Sequence, residues 1–291
     1  MTILKTKQMS ITFLLFQIFV LLTTHTIPGL ASIIQTTNPS CPQTYPPCGN
    51  LSDIHYPFSL SNNPLDPPFS SCGYPGLTIF CLNNTIPILR LNNITSTTSP
   101  SDGFTVTNIS YSSNTFDIID SDELINDYCS IINSNLTLDV QSFLRFTEAD
   151  ANLTVFIDCP GDGPKENMIK CFNNTYTKNT TSYVFFPPDV PIPGGNHFYQ
   201  RCGQVVIVPV LRQVVLDYIE AQEELGVVFG GVLKKGFQIG WDPAASLEEC
   251  RTCEKSSGRC GFKLINASVG SNWEITCFCS DGSQGSDSCG T

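Results

Sequence analysis

Fourteen cysteines are the residues most able to do chemistry in this sequence. The densest run is Cys250-Arg-Thr-Cys253, then Cys260, then Cys277-Phe-Cys279. A C-x2-C pair can set two thiolates on adjacent tetrahedral positions around Zn²⁺. Here the second pair is C-x-C and no histidine stands nearby, so the run reads as disulfides formed in an oxidising compartment. A redox C-x2-C site needs a βαβ setting, which the surrounding pattern lacks. For hydrolysis the chain offers His55 and His197 beyond its leader, and no G-x-S-x-G elbow. Asp117, Asp120, Asp122, Glu123 and Asp127 could supply oxygen ligands to Ca²⁺, but without EF-hand spacing or glycine they read as a solvated loop. The segment 226–235 lacks both G-x-G-x-x-G and a G-K-[ST] ending, and reads as a β-turn between strands. No catalytic residue, cofactor or metal site is assigned, and the chain is expected not to be an enzyme.

The compartment is argued from the leader. Lys5 and Lys7 precede an apolar run over 11–22, and Gly29 and Ala31 stand at −3 and −1 of a cut before Ser32. This is the build of a secretory signal peptide over residues 1–31. A spanning helix needs about 20 apolar residues, whereas this run is shorter and contains Gln17. An even cysteine count outside the cell reads as a disulfide framework over Cys41, Cys48, Cys72, Cys81, Cys129, Cys159, Cys171, Cys202, Cys250, Cys253, Cys260, Cys277, Cys279 and Cys289. Asn-x-Ser/Thr sequons begin at Asn50, Asn83, Asn93, Asn108, Asn135, Asn152, Asn173, Asn179 and Asn266, as suits a secreted glycoprotein. Net charge is −11, which excludes nucleic acid, because neutralising phosphates takes clustered Lys and Arg.

The elements that must position these groups are short. Strand-like runs occur at 77–81, 86–91, 104–109, 115–119, 153–157, 205–211, 237–241 and 273–277, separated by turn residues. One amphipathic helix is expected over 212–225, with Gly226 as its stop. The fold class is therefore mainly β, small-cored and disulfide-rich, with little helix. Four cysteines fall before residue 120 and ten after it. Each set is even, so two cysteine-rich extracellular domains are expected, 32–120 and 121–291. Bridge connectivity stays open at this level.

Three stretches resemble a known plant family. Cys48-Gly-Asn-Leu-Ser-Asp-Ile-His-Tyr-Pro-Phe58, followed by Cys72-Gly-Tyr-Pro-Gly-Leu-Thr-Ile-Phe-Cys81, is similar to the galacturonan-binding module of wall-associated receptor kinases. Phe156-Ile-Asp-Cys159 with Cys202 and the run ending in Pro209 is the second. The third is Gly236-Phe-Gln-Ile-Gly-Trp241, Cys250-Arg-Thr-Cys253, Ser257-Gly-Arg-Cys260 and Cys277-Phe-Cys279. These two resemble the cysteine-rich C-terminal region of the same kinases, and the whole is similar to ectodomains of leaf-rust-resistance-type receptor-like kinases. Such receptors continue into a transmembrane helix and a kinase, whereas this sequence ends at Thr291. The resemblance therefore implies the apoplast or cell wall as the location, or the plasma membrane for a longer product, and no kinase activity here.

It also implies a cell-wall polysaccharide partner, pectic galacturonan. Recognition of carboxylates usually calls for Arg or Lys, yet between Ser32 and Ser130 the only basic residue is Arg90. Aromatic stacking on sugar faces, or Ca²⁺ bridging between carboxylates, would have to serve instead. Tyr45, Tyr56, Phe58 and Tyr74 are the candidate platforms and Arg90 the candidate cation. The competing reading of Tyr56 and Phe58 is packing beside the Cys48 staple, which is the commoner use of aromatics. The alternative function is a receptor ectodomain that takes a protein or peptide ligand in defence signalling, through apolar surface at 205–211 and 227–232.

Overall fold

A computed structural model describes residues 41–62, 72–74, 76–91, 103–120, 135–136, 138, 143–160, 163–170, 180–189, 198–243, 246–266 and 272–290. The chain divides into Met1–Pro39 and a compact unit, Ser40–Thr291, to which all described residues belong.

Five strands come from the first 120 residues: β1 (Ser59–Ser61), β2 (Thr78–Leu82), β3 (Ile86–Leu89), β4 (Phe104–Ser110) and β5 (Thr115–Asp120). They continue a single sheet with β6 (Leu144–Phe146) and β11 (Phe237–Trp241), in the order β1-β2-β3-β4-β5-β11-β6. β1 runs parallel to β2 and the other neighbours are antiparallel. β11 pairs Phe237 with Ile118 and Ile239 with Phe116. The sheet thus runs across residue 120, the boundary suggested by cysteine count. One apolar cluster does the same, joining Cys48, Ile54, Phe58, Ile79, Phe116 and Ile118 to Ile239, Trp241, Cys250 and Cys260.

The second sheet has the order β10-β7-β9-β8, from β7 (Asp150–Pro160), β8 (Met168–Ile169), β9 (Thr180–Phe185) and β10 (Gln204–Leu211). Alternation sets its inner face: Leu153, Val155 and Ile157 face the same cluster as Val206, Val208 and Val210. Two helices cover that face, α1 (Arg212–Glu220) through Val215 and α2 (Leu225–Leu233) through Phe229, Val232 and Leu233. The third sheet, β12-β13-β14, comprises β12 (Arg259–Asn266), β13 (Asn272–Phe278) and β14 (Gln284–Gly285). Helix α3 (Glu248–Lys255) is bolted to it by Cys250–Cys260 and Cys253–Cys277.

The remaining described bridges are Cys41–Cys72, Cys48–Cys81, Cys159–Cys202 and Cys279–Cys289. All six stay on one side of residue 120. Cys129 and Cys171 lie outside the described residues.

Two expectations need correction. The helix expected over 212–225 ends at Glu220, where Gln222 takes φ +58° and turns the chain back. Gly226 is no stop but the second residue of α2, and the supposed turn at 226–235 is that helix. Phe229, Val232 and Leu233 recur at i, i+3 and i+4, the spacing of a helical face, and tertiary burial of that face outweighs the helix-weakening glycines. Gly226 earns its place sterically, since a Cβ there would lie 2.3 Å from the Met168 carbonyl oxygen.

Candidate functional site

The tyrosines and phenylalanine proposed as sugar platforms enter a shared interior. Tyr56-Pro57-Phe58 lies alongside Tyr74 and Leu77: Tyr74 N donates to Pro57 O (2.9 Å) and Ser59 N to Leu77 O (3.1 Å). Phe58 is fully buried, edge-on to Trp241 (5.3 Å), Phe116 (5.5 Å) and Tyr111 (6.1 Å). Its contact with Trp241 joins the Y-P-F element to G-F-Q-I-G-W, which stand far apart in sequence. No face of Phe58 is left for a ligand.

Tyr56 and Tyr74 make a second tie across the same gap. Their rings meet edge to face at 5.5 Å. Both hydroxyls donate to Oε1 of Glu254, at 2.5 and 2.6 Å, in the last turn of α3. The Tyr56 oxygen also accepts from Cys260 N (3.2 Å), and Gly73 N donates to Cys260 O (2.9 Å). Burial first, then the neighbouring Tyr74 and the Glu254 carboxylate, push the Tyr56 phenol far above its ordinary range. Burial and Glu254 push Tyr74 the same way. Two donors converging on one carboxylate make a strong, directional clasp.

Arg90 is 9% exposed, and its guanidinium carbon lies 4.6 Å from the Phe80 ring centroid, a cation–π arrangement. Tyr45 is half-buried and pairs its N–H with Ile54 O (2.7 Å). Beside it His55 stacks on Tyr111 with centroids 3.5 Å apart, and burial pushes the Tyr111 phenol up to about 12. Of the five candidates, Tyr45 and Tyr56 keep partial exposure, and the other three are interior. The acidic group read as a loop begins on β5, where Asp117 accepts from Asn108 Nδ2 (3.1 Å) and Gln238 Nε2 (2.8 Å). Asp122, Glu123 and Asp127 lie outside the described residues.

The sequon asparagines Asn50, Asn83, Asn108, Asn135 and Asn152 are exposed. Asn93, Asn173 and Asn179 lie outside the described residues. The apolar runs considered for a protein ligand are mostly consumed by the core, leaving Val205 (47%) and Val227 (74%) exposed. The cysteine sulfurs of Cys277, Cys279 and Cys289 lie within 4.8 Å of one another, but all three are in disulfides.

A cavity of about 410 Å³ opens where α1 meets the strand ends. Its lining includes Phe146, Thr147, Asp150, Phe186, Arg212 and Leu216. The turn before β7 is tied by Asp150, whose Oδ2 accepts from Thr147 N (2.9 Å) and whose Oδ1 accepts from Gln238 N (2.8 Å). Burial pushes the Asp150 carboxyl up, against those hydrogen bonds. Arg212 closes the other side: its N–H donates to Ala149 O (2.8 Å) and its Nη2 to Asp150 O (3.0 Å). Sequence reasoning passed over this cleft, because Phe146, Phe186 and Arg212 come from three separated segments.

Among the described residues, six disulfides and three antiparallel-dominated sheets define a disulfide-stapled, mainly β class of protein. Residues 41–120 match the family described as wall-associated receptor kinase galacturonan-binding, and residues 170–282 the family described as wall-associated receptor kinase C-terminal. The two matches together give the domain composition of wall-associated receptor exteriors, families that imply an extracellular or cell-wall location. It is similar to a leaf rust 10 disease-resistance locus receptor-like protein kinase-like 2.5 of Arabidopsis thaliana, at 25% identity over 243 residues. That alignment covers 76% of this chain and 32% of the relative, so the chain spans about a third of the relative's length. No solved structure matches. No helix among the described residues is long and apolar enough to cross a membrane.

Proposed function

We propose that this chain is a non-catalytic, pectin-binding ectodomain module of a plant receptor-like protein, secreted and glycosylated, with galacturonan as its ligand. The observation that carries the reading is the match of residues 41–120 to the galacturonan-binding family. Within those residues the one basic side chain, Arg90, lies under the surface against Phe80. Contacts from this module to a polyanion are therefore neutral or bridged. Half-buried Tyr45 and Tyr56 offer aromatic faces, the β4–β5 hairpin offers Thr107, Ser110 and Ser113 as hydrogen-bonding groups, and Ca²⁺ can link carboxylates of polymer and protein. The test is retention on de-esterified polygalacturonate with Ca²⁺ and with a chelator, against methyl-esterified pectin as control. Retention on the de-esterified polymer supports the reading, and none in either condition removes it.

A second reading, a receptor ectodomain for a protein or peptide ligand in defence signalling, draws on the relative's name as a disease-resistance receptor-like kinase. Co-purification from apoplastic fluid decides it, since recovery of glycans without a protein partner rules it out.

A further inference from the structure

Resting on the pectin-binding reading, we infer that the cavity beneath α1 is a subsite for one carboxylated sugar unit, with Arg212 taking the carboxylate and Phe146 and Phe186 walling the ring. The cleft lies outside residues 41–120, so the galacturonan-binding match does not assign it.

The argument begins with the cations. Binding a uronate calls for an arginine whose charge is not already neutralised. Arg90 lies against Phe80, Arg145 sits 3.6 Å from Asp242, and Arg251 is paired with Glu248. Arg259 donates to the carbonyls of Cys41 and Pro42 and to Gln43. Arg259 thus has neutral partners, as Arg212 does, but it is half-buried and away from the cavity. Arg201 is exposed at the end of the turn Phe198–Arg201 and does not line the cavity either. Arg212 is the arginine of the cavity lining. It is exposed, spends one N–H on the neutral carbonyl of Asp150, and has no carboxylate at ion-pair distance among the described residues. The guanidinium carries five donors in a planar fork, so a bidentate face remains for a ligand carboxylate. The bond to Asp150 O and the bond from Arg212 N to Ala149 O hold that fork at the cavity wall before any ligand arrives.

The Asp150 carboxylate is the group that could oppose such a ligand. Its oxygens are turned onto the backbone N–H groups of Thr147 and Gln238, and onto the Thr147 hydroxyl at 3.3 Å. Asp150 is 6% exposed, so its charge is engaged within the wall while the guanidinium stands in the opening. The remaining surface suits a pyranose. Phe146 is 37% exposed although it is a large apolar residue, and Phe186, Pro187 and Leu216 continue the apolar lining. Asn152, an exposed sequon asparagine, also lines the cavity, so wild type and every variant below are compared in an Asn152→Gln background that carries no glycan there. Sugar rings present apolar C–H faces to aromatic walls and hydroxyls to polar edges, and Thr147 supplies such an edge here. The volume of about 410 Å³ falls in the ~300–1,000 Å³ range of small-ligand clefts.

The experiment is titration calorimetry of the full secreted chain with trigalacturonate, its methyl ester and a neutral galactose trisaccharide. Wild type, Arg212→Ala, Arg212→Lys and Phe146→Ala are compared, with Arg145→Ala as the control, and polygalacturonate retention is measured in parallel. Wild type should bind trigalacturonate and discriminate against the ester. Arg212→Ala should weaken binding at least tenfold and Phe146→Ala several-fold. Arg212→Lys should fall between, having charge but no fork, and Arg145→Ala should bind as wild type. If wild type binds the acid while Arg212→Ala and Phe146→Ala bind equally well, the subsite is refuted and the pectin reading stands. If wild type neither binds the oligomer nor is retained on the polymer, the pectin reading itself falls. Should Arg212→Ala fail to fold through loss of its tie to the turn, Phe146→Ala decides alone, because its ring is 37% exposed and outside the apolar clusters of the core.

Discussion

Replacing Glu254 with alanine tests whether the two matched modules are clasped by Tyr56 and Tyr74. The carboxylate accepts both phenolic hydroxyls on one oxygen, at 2.5 and 2.6 Å. Hydrogen bonds to a charged partner are worth about 1.5–3 kcal/mol each, and a donor left unpaired in the interior costs about 1–3 kcal/mol. Tyr74 is 3% exposed, so water cannot readily replace its partner. Glu254 is half-buried, which admits some solvent and lowers the total. The expected loss is about 2–4 kcal/mol for Glu254→Ala and about 1 kcal/mol for Glu254→Gln, which keeps an acceptor oxygen. Urea unfolding of the disulfide-intact protein, followed by fluorescence of buried Trp241, measures both. A double-mutant cycle with Tyr74→Phe should give a coupling of about 1 kcal/mol or more. A Glu254→Ala loss under about 0.5 kcal/mol, the level of an ordinary surface change, would refute the clasp.

The phenols of Tyr56, Tyr74 and Tyr111 are all held above their ordinary range by burial. The folded state therefore keeps these protons to higher pH than the unfolded chain does. Stability should be complete below about pH 10 and should fall as pH rises past it; ready ionisation of all nine tyrosines at 295 nm with the fold intact would contradict this. Gly258→Ala should prevent accumulation of correctly bridged protein, because the new Cβ would lie 2.4 Å from Cys277 Sγ and 2.8 Å from the sulfurs of Cys253 and Cys289; unchanged secretion and peptide mapping would count against the packing described. Expressed separately, fragments 32–120 and 121–291 should each fail to give dispersed amide spectra, since separation strips β11 from β5 and Trp241 from Phe58. Under limited reduction with a small thiol, alkylation should appear at half-exposed Cys279 and Cys289 before fully buried Cys253 and Cys277; the reverse order would overturn the burial assignment.

Local pattern was enough to determine much of this protein. The runs at 104–109, 205–211 and 237–241 alternate or cluster in ways that few structures other than strands can bury, and β4, β10 and β11 form there. The ordered cysteines and the Y-P-F and G-F-Q-I-G-W elements were enough to point to the family. Tertiary structure decided what those elements are for. Whether an aromatic faces a sugar or a core depends on what arrives from elsewhere in the chain. Phe58 is closed off by Phe116 and Trp241, and Tyr74 by Glu254, at separations that no periodicity reveals. The same holds for 226–233, whose glycines argue for a turn until the face bearing Phe229 and Val232 finds a sheet to cover. It holds again for the Arg212 cleft, whose walls meet only when β6, β7, β9 and α1 converge. Composition and spacing act locally, whereas burial is a property of the assembled whole.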